Sequence, residues 1–168
     1  MKSAALLAII GAGAAVALLS VARSPWIVWN ASRSVPIGLY RVQAAAPGQN
    51  DLVLVRLPPV LAELANRRGY LHGTDYVLKP VAAVAGETVC RFGLVITVRS
   101  AVAALAKRRD GDQRPMPVWH GCHVLKLGEL FLLSAPPDSF DSRYFGPITE
   151  IQVIGRAQAL LTVPNTVE

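Results

Sequence analysis

Two short stretches carry side chains that could do chemistry together. Lys79 lies within Tyr76-Val-Leu-Lys-Pro-Val-Ala-Ala-Val84, an otherwise apolar run, and strand alternation puts it on the same face as Val77 and Val81. An ammonium held among apolar side chains loses hydration. That favours the neutral amine and lowers a pKa that ordinarily sits at about 10.4. A shift of roughly three units would cost about 4 kcal/mol and would leave a base usable near neutral pH. The plainer reading is an edge-strand lysine that deters aggregation or snorkels to solvent.

The second stretch is Asn30-Ala-Ser-Arg-Ser-Val-Pro-Ile-Gly-Leu-Tyr40. Ser32 and Ser34 are two residues apart, and Pro36 and Gly38 restrict or bend the backbone just after them. A rigid turn there would present both hydroxyls. Turns rich in Ser and Asn are common and usually inert, which is the bland alternative.

These side chains need a scaffold, and the pattern beyond residue 36 predicts strands. Apolar runs rich in Val, Leu and Ile fall at Leu39 to Val42, Asp51 to Leu57, Tyr76 to Val84, Thr88 to Val98, Glu129 to Ser134 and Gln152 to Val163. Turn residues punctuate them at Pro47-Gly48, Pro58-Pro59, Gly86, Gly111, Gly128 and Pro136-Pro137. One helix is expected at Pro59 to Arg68, with Val60, Leu61, Leu64 and Ala65 on one face and Pro59 in the first turn. A second short helix is expected near Ala101 to Arg108. The expected fold is mainly β with one or two short helices.

The first residues are of a different kind. Ala4 to Ala22 form an uncharged run of nineteen residues between Lys2 and Arg23, long enough as a helix to span roughly 28 Å, about the hydrocarbon thickness of a bilayer. A cleavable leader is the rival reading, but a leader's apolar region is usually about 7 to 15 residues. Trp26 and Trp29 follow, where amphipathic rings favour the membrane interface. The chain is thus read as a single-pass membrane anchor and interface segment, residues 1–29, preceding one domain at residues 30–168. A chain of 168 residues has no room for a second independent core.

Seventeen Lys and Arg against eleven Asp and Glu give a net charge of +6, which suits an anionic lipid surface. Nucleic acid is not expected as a partner, because no recognition helix, zinc spacing or aromatic-interleaved basic stripe accompanies the charge. Cys90 and Cys122 are an even pair that suggests a disulfide in an oxidising compartment, with two buried thiols as the alternative. His72, His120 and His123 show no metal-ligand spacing with them, so no metal is expected. No cofactor is called for.

At this point three motifs in order carry a resemblance. Ser34-Val-Pro-Ile-Gly-Leu-Tyr40 resembles the nucleophile box of the type I signal peptidases, in the S-x-P-x-G-L-Y form of their TraF-type conjugative-transfer branch. Leu78-Lys79-Pro-Val-Ala-Ala-Val-Ala-Gly86-Glu87-Thr-Val89 resembles the lysine box. Ser139-Phe-Asp141-Ser-Arg143-Tyr-Phe-Gly146-Pro147 resembles the C-terminal S-x-D-S-R-Y-x-G-P box. Pro80 stands where the family usually has Arg, Ala85 replaces Pro, Glu87 replaces Asp, and a G-D-N-R stretch before the last box is missing. None of these departures removes a catalytic side chain.

The resemblance implies a signal-peptidase-like β domain in the periplasm, a serine/lysine endopeptidase tethered to the bacterial inner membrane. Ser34 would be the nucleophile and Lys79 its base. Ser32, with the Ser34 backbone N–H, would bind the oxyanion. Ser139 would orient the amine, and Asp141 and Arg143 would brace that box. The implied partners are a pre-pilin or another exported pre-protein, the inner-membrane lipid, and proteins of a conjugation apparatus. Cleavage and cyclisation of the pilin share one acyl-enzyme. A general leader peptidase and a non-enzymatic anchored scaffold are the competing readings.

Overall fold

A computed structural model of the protein describes residues 26–163. The expected membrane segment at residues 4–22 lies outside them. Among the described residues, no helix is long and apolar enough to cross a membrane.

The described residues form two antiparallel sheets and two short helices. The larger sheet contains β1 (Trp26–Asn30), β2 (Gly38–Gln43), β3 (Leu52–Arg56), β4 (Tyr76–Ala83), β9 (Glu129–Leu132), β10 (Ile148–Thr149) and β11 (Val153–Thr162). Its spatial order is β1-β2-β11-β3-β4-β9-β10. The smaller sheet contains β5 (Thr88–Phe92), β6 (Val95–Val98), β7 (Ala101–Leu105) and β8 (Gly121–Val124) in the order β7-β6-β5-β8. Helix α1 spans Pro59–Arg67 and α2 spans Ser142–Phe145. The mainly β fold expected from the apolar runs is the fold observed.

Continuous apolar runs arise because the central strands are buried on both faces. Val53 and Val55 of β3, with Val77 and Val81 of β4, join a core that includes Ala62 and Ala65 of α1 and Tyr144 of α2. Leu54 and Leu78 point the other way, into a second cluster with Val35, Tyr40 and Val42. A third cluster, built on Val89, Ile96 and Phe131, joins the two sheets. Full burial of each such Val, Leu or Phe contributes roughly 1.5–3 kcal/mol.

The larger sheet bends where β11 crosses from β2 to β3, with register shifts at Val153/Gly155 and Ala159/Leu161. Two glycines permit the approach. A Cβ on Gly38 would lie 2.1 Å from the Leu161 carbonyl oxygen, and one on Gly155 would lie 2.2 Å from that of Gln43. The backbone following the Ser34 turn therefore packs directly against the last strand.

Three local expectations change. The helix expected at Ala101 to Arg108 is absent: Ala101–Leu105 is strand β7, paired with β6. Arg99 and Ser100 turn the chain back with φ of 51° and 66°, the left-handed pair that favours a two-residue hairpin. Pairing in that hairpin outweighs the helix preference of the alanines. The run from Thr88 to Val98 is likewise two strands, split at Gly93, whose φ is 62°. In α1, Val60 is 77% exposed, while Ala62 packs inward with Ala65. In addition, residues 26–29, which the sequence pattern assigns to the interface segment, form with Asn30 the outer strand β1, paired along its whole length with β2.

Candidate active site

The turn that carries Ser32 and Ser34, residues 31–37, joins β1 to β2 and is organised by Asn30. Its side-chain Nδ2 donates to the carbonyls of Ser32 (2.8 Å), Pro36 (3.0 Å) and Val35 (3.2 Å). Its Oδ1 accepts from the Ser32 backbone N–H at 3.1 Å and lies 2.9 Å from Ser32 Oγ. Three carbonyls around the nitrogen fix the orientation of the amide. Tyr40, 2% exposed, adds a 2.6 Å bond from its hydroxyl to the Pro36 carbonyl. Burial raises the pKa of that hydroxyl, which keeps it a donor.

The two hydroxyls of the turn meet: Ser32 Oγ is 3.3 Å from Ser34 Oγ. A hydroxyl has one proton. If Ser32 donates to Asn30, then the shared contact has Ser34 donating to Ser32. Asn30 was not singled out by the sequence reading. The signal that could have found it is an Asn two residues before a Ser in a turn, the spacing of a side chain that bonds its own backbone.

Lys79 sits within β4, between β3 and β9, so it is an interior lysine and not an edge-strand one. It pairs across the sheet with Val53 and is flanked on its own face by the buried Val77 and Val81. Only 3% of it is exposed. Its Nζ donates to Ser139 Oγ at 2.7 Å. Loss of hydration pulls the amine down from 10.5 to about 8; the Asp141 carboxylate opposes that shift and the Arg143 guanidinium adds to it.

Ser139 is placed by the loop between β9 and α2. Asp141 caps α2 by accepting from the Arg143 backbone N–H at 3.1 Å, and it also accepts from the Ser134 N–H at 3.0 Å. Its carboxylate meets the Arg143 guanidinium through two bonds of 2.8 and 3.0 Å. Arg143 spends its remaining donors on the carbonyls of Ser134 (2.5 Å) and Pro137 (3.3 Å). Both side chains are essentially inaccessible. A buried pair whose carboxylate accepts four bonds and whose guanidinium donates four acts as a rigid brace, and loss of either partner would leave an uncompensated charge.

The structure therefore draws Lys79, Ser139, Asp141 and Arg143 into one network, and Ser32 and Ser34 with Asn30 into another. Among the described residues, no hydrogen bond joins Ser34 to Lys79. Val35, which follows Ser34, shares an apolar cluster with Leu78, which precedes Lys79 in β4 and points to the opposite face of the sheet. Cys90 and Cys122 face each other across β5 and β8 and form a disulfide. His123 contacts Glu129 at 2.6 Å, while His72 and His120 are exposed.

Taken together, a turn presenting two hydroxyls and a buried amine of lowered basicity suit acyl transfer. Among solved structures, a signal peptidase I from Enterococcus faecalis aligns over 68% of this chain and 98% of its own, with 19% identity and a TM-score of 0.39. The plasmid transfer protein TraF of Escherichia coli is 32% identical, over 91% of this chain and 93% of that protein. The probable conjugal transfer protein TraF of Sinorhizobium fredii is 35% identical, over 89% and 84% respectively. The family model for signal peptidase, peptidase S26, spans residues 1–162, and this chain belongs to that family.

Proposed function

We propose that the chain is a membrane-anchored serine endopeptidase of a conjugative transfer system, which removes the leader of a pre-pilin on the outer side of a bacterial inner membrane. Ser34 Oγ attacks the scissile carbonyl as Lys79 takes its proton. The C–N bond breaks, and the same proton passes to the departing amine. The acyl-enzyme is then released by water, or by an amine of the substrate itself, which would close the pilin into a ring.

The observation that carries this reading is the buried Lys79 amine, lowered to about 8 and held by Ser139. A scaffold would have no need of such an amine. Hydrogen bonds between nucleophile and base often tighten only when substrate is bound, and here the Ser34 proton has to turn from Ser32 toward Lys79. Ser32 would turn its own proton from Asn30 Oδ1 to the oxyanion. The transfer role rests on relatives named as plasmid and conjugal transfer proteins.

The test incubates the full chain in detergent with candidate pre-pilin and measures product masses for wild type, Ser34→Ala and Lys79→Ala. Cleavage by wild type and loss of it in both variants is expected. Unchanged processing by either variant refutes the dyad. Cleavage of a general exported pre-protein but not of pre-pilin replaces the transfer role with a housekeeping one. A product lighter by one water than the cleaved linear peptide identifies cyclisation.

A further inference from the structure

One buried charge takes no part in the chemistry above. Arg91 lies on β5 of the smaller sheet and is 1% exposed, and among the described residues it forms no ion pair. Its partners are three carbonyl oxygens from three separate pieces of chain. Nη1 donates to Arg143 of α2 at 2.6 Å and to Pro117, in the segment before β8, at 3.3 Å. Nε donates to Gly93, in the β5–β6 turn, at 3.1 Å. Burying a guanidinium without a carboxylate is costly, so its retention calls for a reason.

Its position supplies one. The carbonyl it holds belongs to Arg143, the residue whose side chain pins Asp141. Trp119 grips the neighbouring carbonyl, donating from Nε1 to Ser142 at 3.0 Å. The two donors hold consecutive carbonyls of α2. A four-residue helix makes too few internal bonds to hold its own shape. A lysine could reach one of the three carbonyls, but only the planar fork of an arginine engages all three at once.

We propose that Arg91 is a positioning residue for the peptidase reaction, clamping α2 from the smaller sheet so that Asp141, Arg143 and Ser139 hold the Lys79 amine dry and correctly aimed. The inference rests on the reading of Lys79 as the base. Arg91 acts through the α2 backbone, because the charges felt at Lys79 are those of Asp141 and Arg143 and not its own. With the clamp gone, α2 loosens, water reaches the amine, and its proton affinity returns toward that of an ordinary lysine.

The test is an NMR titration of the full chain in detergent, with side-chain-labelled lysine; the chain has only Lys2, Lys79, Lys107 and Lys126. Wild type is compared with Arg91→Met, with Arg91→Lys in case the first variant folds poorly, and with Ile96→Val. Ile96→Val thins the core of the same sheet without touching its hydrogen bonds. In Arg91→Met the Lys79 titration is expected to rise by roughly one unit, a tenfold change in proton affinity. Arg91→Lys should give a smaller rise, and Ile96→Val should lower Tm with no rise. An unmoved Lys79 in both Arg91 variants, against a wild-type value near 8, overturns the clamp alone. A rise of the same size in Ile96→Val also overturns it, since general loosening would then suffice. A wild-type Lys79 that titrates as an ordinary surface lysine refutes the base assignment itself, and the clamp with it.

Discussion

Lys79 ties both activity and stability to pH in the same sense, each rising as the amine loses its proton, and both can be measured. With its pKa lowered to about 8 by burial, roughly one amine in ten is neutral at pH 7 and roughly nine in ten at pH 9. For a lysine left at 10.5, the neutral share at pH 7 would be roughly one in three thousand. The expected profile of kcat/KM for pre-pilin cleavage thus rises about tenfold between pH 7 and 9 and then levels off.

The same shift acts on folding. The folded pKa is below the unfolded one, so between the two values the unfolded chain binds more protons, and stability increases with pH. Below about pH 8 the ammonium is buried in full at a cost of about 3 kcal/mol, and above about pH 10.5 that cost is gone. This is about what one or two buried aliphatic side chains return, so the fold can carry it. Lys79→Met removes the cost, and at pH 7 it should raise the urea midpoint while abolishing cleavage. Single-turnover cleavage from pH 6 to 10, with urea unfolding across the same range, checks both limbs. A rate that keeps climbing tenfold per unit up to pH 10, or a Lys79→Met variant no more stable than wild type at pH 7, refutes the reasoning.

Two further outcomes follow from the turn and from the smaller sheet. Ser32→Ala should lower kcat by roughly 10²- to 10³-fold with little change in KM, the loss expected for one oxyanion donor; a change confined to KM would assign Ser32 to substrate binding instead. The Cys90–Cys122 bridge spans 32 residues of sequence, so Cys90→Ser with Cys122→Ser should cost about 3–4 kcal/mol of unfolding free energy by the loop-closure argument. Denaturant titration measures it, and an unchanged midpoint would show that strand pairing of β8 with β5 suffices alone.

Which parts of this molecule could be read in one dimension follows from how local each feature is. The runs around Val53 to Val55 and Val77 to Val81 announced strands because burial on both faces leaves little freedom of residue type. Pro59 and the apolar spacing after it marked α1, and the three short boxes identified the family, because each packs its chemistry into a few adjacent residues. Ala101 to Leu105 misled for the opposite reason: alanine prefers a helix locally, and only the partner strand β6 and the left-handed turn at Arg99 and Ser100 make it β7. Residues 26–29 read as the edge of a membrane segment because nothing in their composition reveals pairing with β2.

For the site, the residue types were written in the sequence, but their physical states were not. Lys79 could have been an exposed edge lysine; that β4 lies between β3 and β9, with Ser139 arriving from sixty residues further on, is a fact of topology. Arg91 was invisible because its role consists of carbonyls that distant backbone brings to it, whereas Asn30 bonds its own turn and left a local trace. Sequence determines which groups are available, since side-chain chemistry and short-range conformational preference are local. Tertiary structure decides which of them lose water and which find partners, because hydration and hydrogen bonding depend on neighbours that only folding assembles.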